Sequence, residues 1–237
     1  MGFKYVFFDA DNTLYDFNKA EAGALRESVI RMGEKWDDSL IPLYHEINGK
    51  LWKDFEKELI DTKRLRVERF EILKQRTGMS FDSSIMAPVY VEALAHYAYL
   101  LDGAIDVLEQ LHEKYTLVLS TNGLSSVQRG RIEISGIGKY FREILISEEI
   151  GIQKPDPGYF RKGLEKLGFP PVEEVLVVGD SLSSDIRGAR NAGLKSCLFT
   201  NGRKPDAHEI AAMEPKPDYI ISELSQLEAI LEQGADE

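Results

Sequence analysis

The stretch FFDADNTLYDF, residues 7–17, decides how this chain is read. It grows out of YVFF (5–8), a short aromatic and β-branched run that reads as a buried strand. Two carboxylates, Asp9 and Asp11, follow at once and stand one residue apart. A lone DxD at a strand end fits a turn or a helix cap better than a site. Its meaning depends on what the other strand ends carry.

Beyond residue 17 the apolar spacing turns helical. Ala22, Leu25, Val29 and Met32 recur at helical intervals, and so do Leu40, Tyr44, Ile47, Leu51, Trp52 and Phe55. Val67, Phe70 and Leu73 mark a third segment and residues 85–99 a fourth, with breaks at 33–39, 60–63 and 78–84. After Gly103 strands and helices alternate. TLVLS (116–120), EILIS (143–147), VLVVG (175–179), SCLFT (196–200) and DYIIS (218–222) read as strands. Residues 105–113, 126–135, 157–167, 185–192 and 224–233 read as helices between and after them. The strand runs do not alternate in polarity, so both of their faces are covered, as in a parallel α/β sheet. The expected fold class is therefore α/β: a Rossmann-like parallel sheet core with an inserted four-helix cap. The core takes residues 1–16 plus 100–237 and the cap residues 17–99.

Bulk composition narrows the function. The chain has 237 residues, 43% of them hydrophobic, enough for a core domain carrying a smaller inserted one. A formal net charge of −11 without polybasic runs argues against nucleic-acid and membrane-surface partners. No segment is apolar for long enough to be a signal-peptide core or a membrane span, so a soluble, cytoplasmic protein is expected, as monomer or homodimer. Cys197 is the single cysteine, which rules out an intrachain disulfide; its apolar setting fits a buried thiol. His45, His96, His112 and His208 are scattered without metal-ligand spacing and read as structural or exposed.

In a parallel α/β sheet, ligands bind beyond the carboxyl ends of the strands. The first strand ends in Asp9-Ala10-Asp11-Asn12-Thr13 and the second in Ser120-Thr121-Asn122-Gly123. The loop after the third carries Gln153-Lys154-Pro155-Asp156-Pro157, and the fourth ends in Gly179-Asp180-Ser181, leading to Asp185. Each alone is an ordinary turn, rigid loop or capped helix start. All four in order at one sheet edge are not plausibly coincidence. Clustered carboxylates repel one another and lose solvation, and a bound cation is the usual remedy. All-oxygen ligation suits Mg²⁺, whose shell a phosphate can complete. Lys154, Thr121 and free backbone N–H groups would hold the other phosphate oxygens. Asp9 would then attack phosphorus as nucleophile, giving an aspartyl-phosphate. Asp11 would protonate the leaving alcohol and later deprotonate water.

These residues resemble the haloacid dehalogenase (HAD) superfamily, over nearly the whole chain. DADNT matches its first motif, TNG the second, KPDP the third and GDSLSSD the fourth, and the helical insertion looks like the superfamily's C1 cap. The resemblance implies a HAD-like fold and a phosphoric monoester hydrolase. By position, Asp9 is the nucleophile and a metal ligand, and Asp11 the acid/base with its carbonyl on the metal. Thr121 and Lys154, with Asn12 and Asn122 beside them, are phosphate-binding. Asp180 is the second metal-ligand side chain, and Asp185 holds a metal-bound water or orients Lys154. An acid at the position of Asp11 marks the phosphatases and argues against dehalogenation. The first-motif stretch, NGKLWKDFEKELI (48–60) and Arg69-Phe70 further resemble the pyrimidine 5′-nucleotidase-like branch. This implies a small phosphorylated partner, a nucleoside monophosphate. A sugar-phosphate phosphatase, a phosphomutase and a non-catalytic binding protein on the same fold are the alternatives.

Substrate choice would lie in the cap, which excludes water and meets the leaving group. Phe17, Asn18, Trp52 and Arg69 are the candidates: a base would stack on Trp52, and Arg69 would bind a polar group. Against this, Trp52 lies on an apolar helical stripe and fits the core, and Arg69 fits a surface or ion-pairing position. KDFEKE (53–58) reads as a solvated helix face.

Overall fold

The computed structural model of the chain describes residues 2–233. β1 (Tyr5–Asp9) is the hinge of the architecture. Four helices follow it: α1 (Phe17–Arg31), α2 (Leu40–Glu56), α3 (Thr62–Thr77) and α4 (Ser83–His96). The chain then returns through α5 (Ala104–Leu111), β2 (Thr116–Thr121), α6 (Ser125–Ser135), β3 (Glu143–Ile146), the short α7 (Ser147–Ile150) and α8 (Pro157–Lys166). It ends with β4 (Val175–Gly179), α9 (Arg187–Asn191), β5 (Lys195–Phe199), α10 (Ala207–Ala212), β6 (Tyr219–Ile221) and α11 (Leu227–Gln233). The six strands form one sheet in the order β3-β2-β1-β4-β5-β6, every neighbouring pair parallel. The expected α/β fold with four inserted helices is what the chain adopts.

The strands are apolar throughout because each face has its own cover. Val6, Phe8, Leu117, Leu119, Leu176 and Val178 enter one cluster, with Leu108, Leu111 and Leu227 from α5 and α11. Phe7, Val118, Val175 and Val177 point the other way, onto Tyr159, Phe160 and Leu164 of α8. This two-residue alternation between two dry faces explains why the sequence showed no alternation of polarity. Cys197 lies in the first cluster, and burial pushes its thiol well above the ordinary range, so it is inert packing.

The inserted helices pack around a cluster of their own, in which the rings of Tyr44, Phe70 and Tyr90 meet at 5.3–5.6 Å. Three helices of that set start on Asp caps: Asp16 accepts from Lys19 N at 3.0 Å, Asp61 from Arg64 N at 2.7 Å and Asp82 from Ser84 N at 2.8 Å. Two crossing segments connect the insertion to the sheet, joined by Asp16 N to Tyr99 O and Leu101 N to Leu14 O, both 2.9 Å. Leu124 and Val127, at the start of α6, also enter the helical cluster, so the insertion is seated on α6.

Two readings need correction. The helix expected over 185–192 begins at Leu182 as a wide π turn, Leu182–Ile186, and is α-helical only from Arg187. The turn lets the Asp185 carboxylate fold back and accept from Ser181 N at 3.1 Å. α7 and α10 were not expected; both are too short to show an apolar period. Among the described residues no helix is long and apolar enough to cross a membrane. Of the core bounds, Met1 and residues 234–237 lie outside the described residues.

Candidate active site

β1 lies between β2 and β4, with Asp9 level with Ser120 in the ladder. The ends of these three strands therefore open on one crevice, and the loop after β3 folds in from the side. Lys154, in that loop, is the centre of the site. Its ammonium donates to Asp9 Oδ1 and Asp185 Oδ1 at 2.6 Å each, and to Ser120 O at 3.0 Å. Only 1% of Lys154 is exposed. Such a burial opposes its charge, but the Asp185 and Asp9 carboxylates outweigh it and hold the ammonium protonated. Asp9, Asp180 and Asp185 each bring one carboxylate oxygen within 4.8 Å of the others. Burial, with the charges of Asp185 and Asp11 added, pushes Asp9 up to about 7 against the pull of Lys154. Burial and the charges of Asp9, Asp185 and Asp11 push Asp180 up as well. One lysine does not neutralise three acids, and the donor set is all oxygen. A hard divalent cation fits the shortfall.

Single residues make this arrangement possible. A Cβ on Gly179 would lie 2.3 Å from the Asp185 carboxylate, so only glycine at the end of β4 lets Asp185 reach Lys154. Thr13 Oγ1 donates to Asp9 Oδ2 at 3.2 Å and steadies its second oxygen. Thr121 Oγ1 accepts from Gly123 N at 2.9 Å, which leaves the hydroxyl proton free to face a ligand. Asn122 is joined at both ends of its amide to the Lys154 backbone, giving 2.8 Å to the carbonyl and accepting 2.9 Å from the N–H. Its side chain thus aligns the lysine loop. Asn12 holds the turn after β1 with φ of 60°. Asp11 stands on the α6 side of the crevice, with Arg131 Nη1 at 2.5 Å and Gln128 Nε2 at 2.7 Å on its two oxygens.

The expected cap residues separate. Trp52 is half-buried, edge-to-face with Phe55 at 5.6 Å, and lines a cleft of about 570 Å³ between the inserted helices and the sheet edge. Asn122, Gly123 and Gln153 form the cleft's opposite wall. Arg69 is neither on the surface nor ion-paired. It is buried inside the helical cluster, donating to Asn48 Oδ1 at 3.2 Å and lying over the Tyr90 and Phe70 rings at 4.7 and 5.2 Å. Its helical phase places it with Leu65, Phe70 and Leu73 on the buried side of α3, where aromatic faces take the place of a carboxylate. Phe17 lies under the Arg131 guanidinium at 5.4 Å.

Several contacts around this crevice escaped the sequence. KDFEKE is not wholly a solvated face: Glu56 accepts from Ser183 Oγ at 2.8 Å, and the neighbouring Phe55 carbonyl from Gln153 Nε2 at 3.0 Å. The end of α2 is therefore docked on the loops after β3 and β4. Gln128 and Arg131 were missed although a signal existed. They share the buried face of α6 with Val127 and Ile132, and polar side chains in an apolar phase need partners.

A parallel sheet whose carboxyl edge gathers acids around a buried lysine, beneath inserted helices, defines a class of α/β enzyme. The chain belongs to the haloacid dehalogenase-like hydrolases, whose family model matches residues 3–193. Among its relatives, the pyrimidine 5′-nucleotidase PynA of Streptococcus pneumoniae is 38% identical over 84% of this chain and 84% of its own length. The pyrimidine 5′-nucleotidase YjjG of Escherichia coli is 32% identical over 98% of this chain and 99% of its own. The crystal structure of the HAD-hydrolase YfnB of Bacillus subtilis bound to magnesium superposes with a TM-score of 0.89 at 32% identity, covering 98% and 99% of the two chains.

Proposed function

We propose that this hydrolase is a Mg²⁺-dependent phosphatase of small phosphate monoesters, and that its preferred substrates are pyrimidine nucleoside 5′-monophosphates. The observation that carries the reading is the Lys154 ammonium bridging Asp9 and Asp185 at 2.6 Å, with Asp180 beside them. Family membership and the two nucleotidase relatives support the phosphatase class and the choice of substrate. In this reading residues 17–99 act as a cap over a core of residues 1–16 and 100–237.

Asp9, Asp180 and the Asp11 carbonyl would hold the cation, with Asp185 outside them, bonded to Lys154 and Ser181 N. The bound Mg²⁺ supplies positive charge that offsets the repulsion between a phosphate dianion and Asp9. Lys154, whose three donors are spent on Asp9, Asp185 and Ser120 O, would turn one of them to a non-bridging phosphate oxygen, and the Thr121 hydroxyl would hold another. Asp9 Oδ forms a bond to phosphorus as the bond to the leaving oxygen breaks, and that oxygen takes the proton of the Asp11 carboxyl. The alcohol departs. Water then attacks phosphorus, Asp11 takes its proton, and the Asp9–phosphorus bond breaks to release inorganic phosphate.

The leaving group would lie in the cleft against Trp52 and Phe55, where a planar base stacks. Glu58, Asp61, Glu148 and Asp156 also line that cleft, which favours a neutral leaving group over one bearing further phosphates. The test is phosphate release from nucleoside monophosphates, sugar phosphates and an aryl phosphate, with and without Mg²⁺. Mg²⁺-dependent release strongest on pyrimidine nucleotides is expected. Preference for sugar phosphates would retire the substrate assignment, and release from none would retire the phosphatase reading.

A further inference from the structure

Asp11 is held from one direction only. Arg131 Nη1 donates to Oδ1 at 2.5 Å and Gln128 Nε2 to Oδ2 at 2.7 Å, and both donors stand on α6 with their side chains at most 1% exposed. The loop before α6 is shaped for this reach. A Cβ on Gly123 would lie 2.2 Å from Gln128 Nε2, so the glycine of TNG keeps the amide's path to Asp11 open. Arg131 is braced in turn by the inserted helices. Its Nε donates to Leu94 O in α4 at 3.3 Å, and its guanidinium lies over Phe17 of α1 at 5.4 Å and Tyr15 at 5.7 Å.

Stability alone does not account for the pair. A buried guanidinium gains little over an apolar side chain of the same volume, and here Arg131 Nη2 and Gln128 Oε1 have no partner. Two buried polar groups left half satisfied, with their other halves on one carboxylate, mark a device for aiming that carboxylate.

We propose that Arg131 and Gln128 are positioning residues that set the direction of the Asp11 carboxyl toward the leaving oxygen. Through Leu94 and Phe17, Arg131 also makes that direction depend on how the inserted helices are seated. The inference rests on the reading of Asp11 as the proton donor. It has a signature that packing lacks. A ribose alkoxide needs a proton to leave, whereas a nitrophenolate does not. Losing the aim of Asp11 therefore harms the two esters unequally.

The experiment compares a pyrimidine nucleoside 5′-monophosphate with p-nitrophenyl phosphate at saturating Mg²⁺, for Gln128→Leu, Arg131→Met, Arg131→Lys and Asp11→Asn. Thermal unfolding checks that each variant is folded. Proton donation contributes about 10²–10⁴-fold, so misaiming is expected to lower kcat/KM, which ends at transfer to Asp9 and leaves out the shared hydrolysis step, on the nucleotide by roughly tenfold or more beyond the loss on the aryl ester. Arg131→Lys should recover part of the difference. Gln128→Leu combined with Asp11→Asn should lose nothing further on the nucleotide. Equal losses on both esters, or additive losses in the double variant, would overturn the inference. If Arg131→Met does not fold, Gln128→Leu and Arg131→Lys decide it. If Asp11→Asn itself treats the esters alike, the proton-donor reading falls, and this inference falls with it.

Discussion

Asp9 is buried beside two other acids and bonded to a lysine, a poor place for a carboxylate with no chemical task. Asn at this position keeps the shape and loses the nucleophile. Asp9→Asn is expected to lower phosphate release by about 10⁴-fold or more while the protein stays folded, checked by phosphate assay beside circular dichroism. Gly179 has the opposite character, with no chemistry and no spare room. In Gly179→Ala the new methyl would meet the Asp185 carboxylate at 2.3 Å, so either the strand end or the Lys154 bridge must move. A loss of about 1–3 kcal/mol in unfolding free energy, with a drop in kcat, is expected from denaturant titration and kinetics. Wild-type stability in that variant would show that Asp185 can hold Lys154 from another position.

The elements divide the work. In the proposed function β1, β2 and β4 supply the reacting edge and α6 holds Asp11, while the end of α2 docks on the loops after β3 and β4 through Glu56 and the Phe55 carbonyl. Stacking of a base on an aromatic side chain is worth about 1–3 kcal/mol. Trp52→Ala is therefore expected to raise KM for a pyrimidine nucleotide by roughly tenfold, with little change for a sugar phosphate. Unchanged nucleotide kinetics would remove Trp52 from the substrate's path. At this scale the sequence was legible wherever an apolar period ran long enough. α10 has no buried residue and so no period, yet its capping box, Asp206 with Glu209, was there to be read.

For the whole molecule, the crowded acids of the site work against stability. The Asp9 carboxyl titrates near 7 in the fold and near 3.8 outside it. Between those values the folded chain binds a proton that the unfolded chain does not, so this group's contribution falls as pH rises. Lys154 stays charged throughout the window. The cation-free protein is expected to melt higher at pH 5.5 than at pH 7.5, relative to Asp9→Asn in the same buffers. Mg²⁺ should raise the melting temperature more at pH 7.5, where it competes with fewer protons. Scanning calorimetry checks both. An identical pH slope in wild type and variant would show that Asp9 ionises freely.

The sequence by itself determined the parallel sheet, the inserted helices and the order of acids, threonine and lysine along one edge. Those follow from local patterns: apolar runs of strand length, helical spacing, and polar residues at each run's end. Only the tertiary structure decided which side chains meet. Asp11 finds Arg131 across 120 residues of chain and Gln128 across 117, and no periodicity spans that distance. Arg69 looked like a surface residue because Asn48 of α2 and Tyr90 of α4, distant in sequence, complete its environment. Burial assigns such a polar group its partner, and burial is a property of the packed chain.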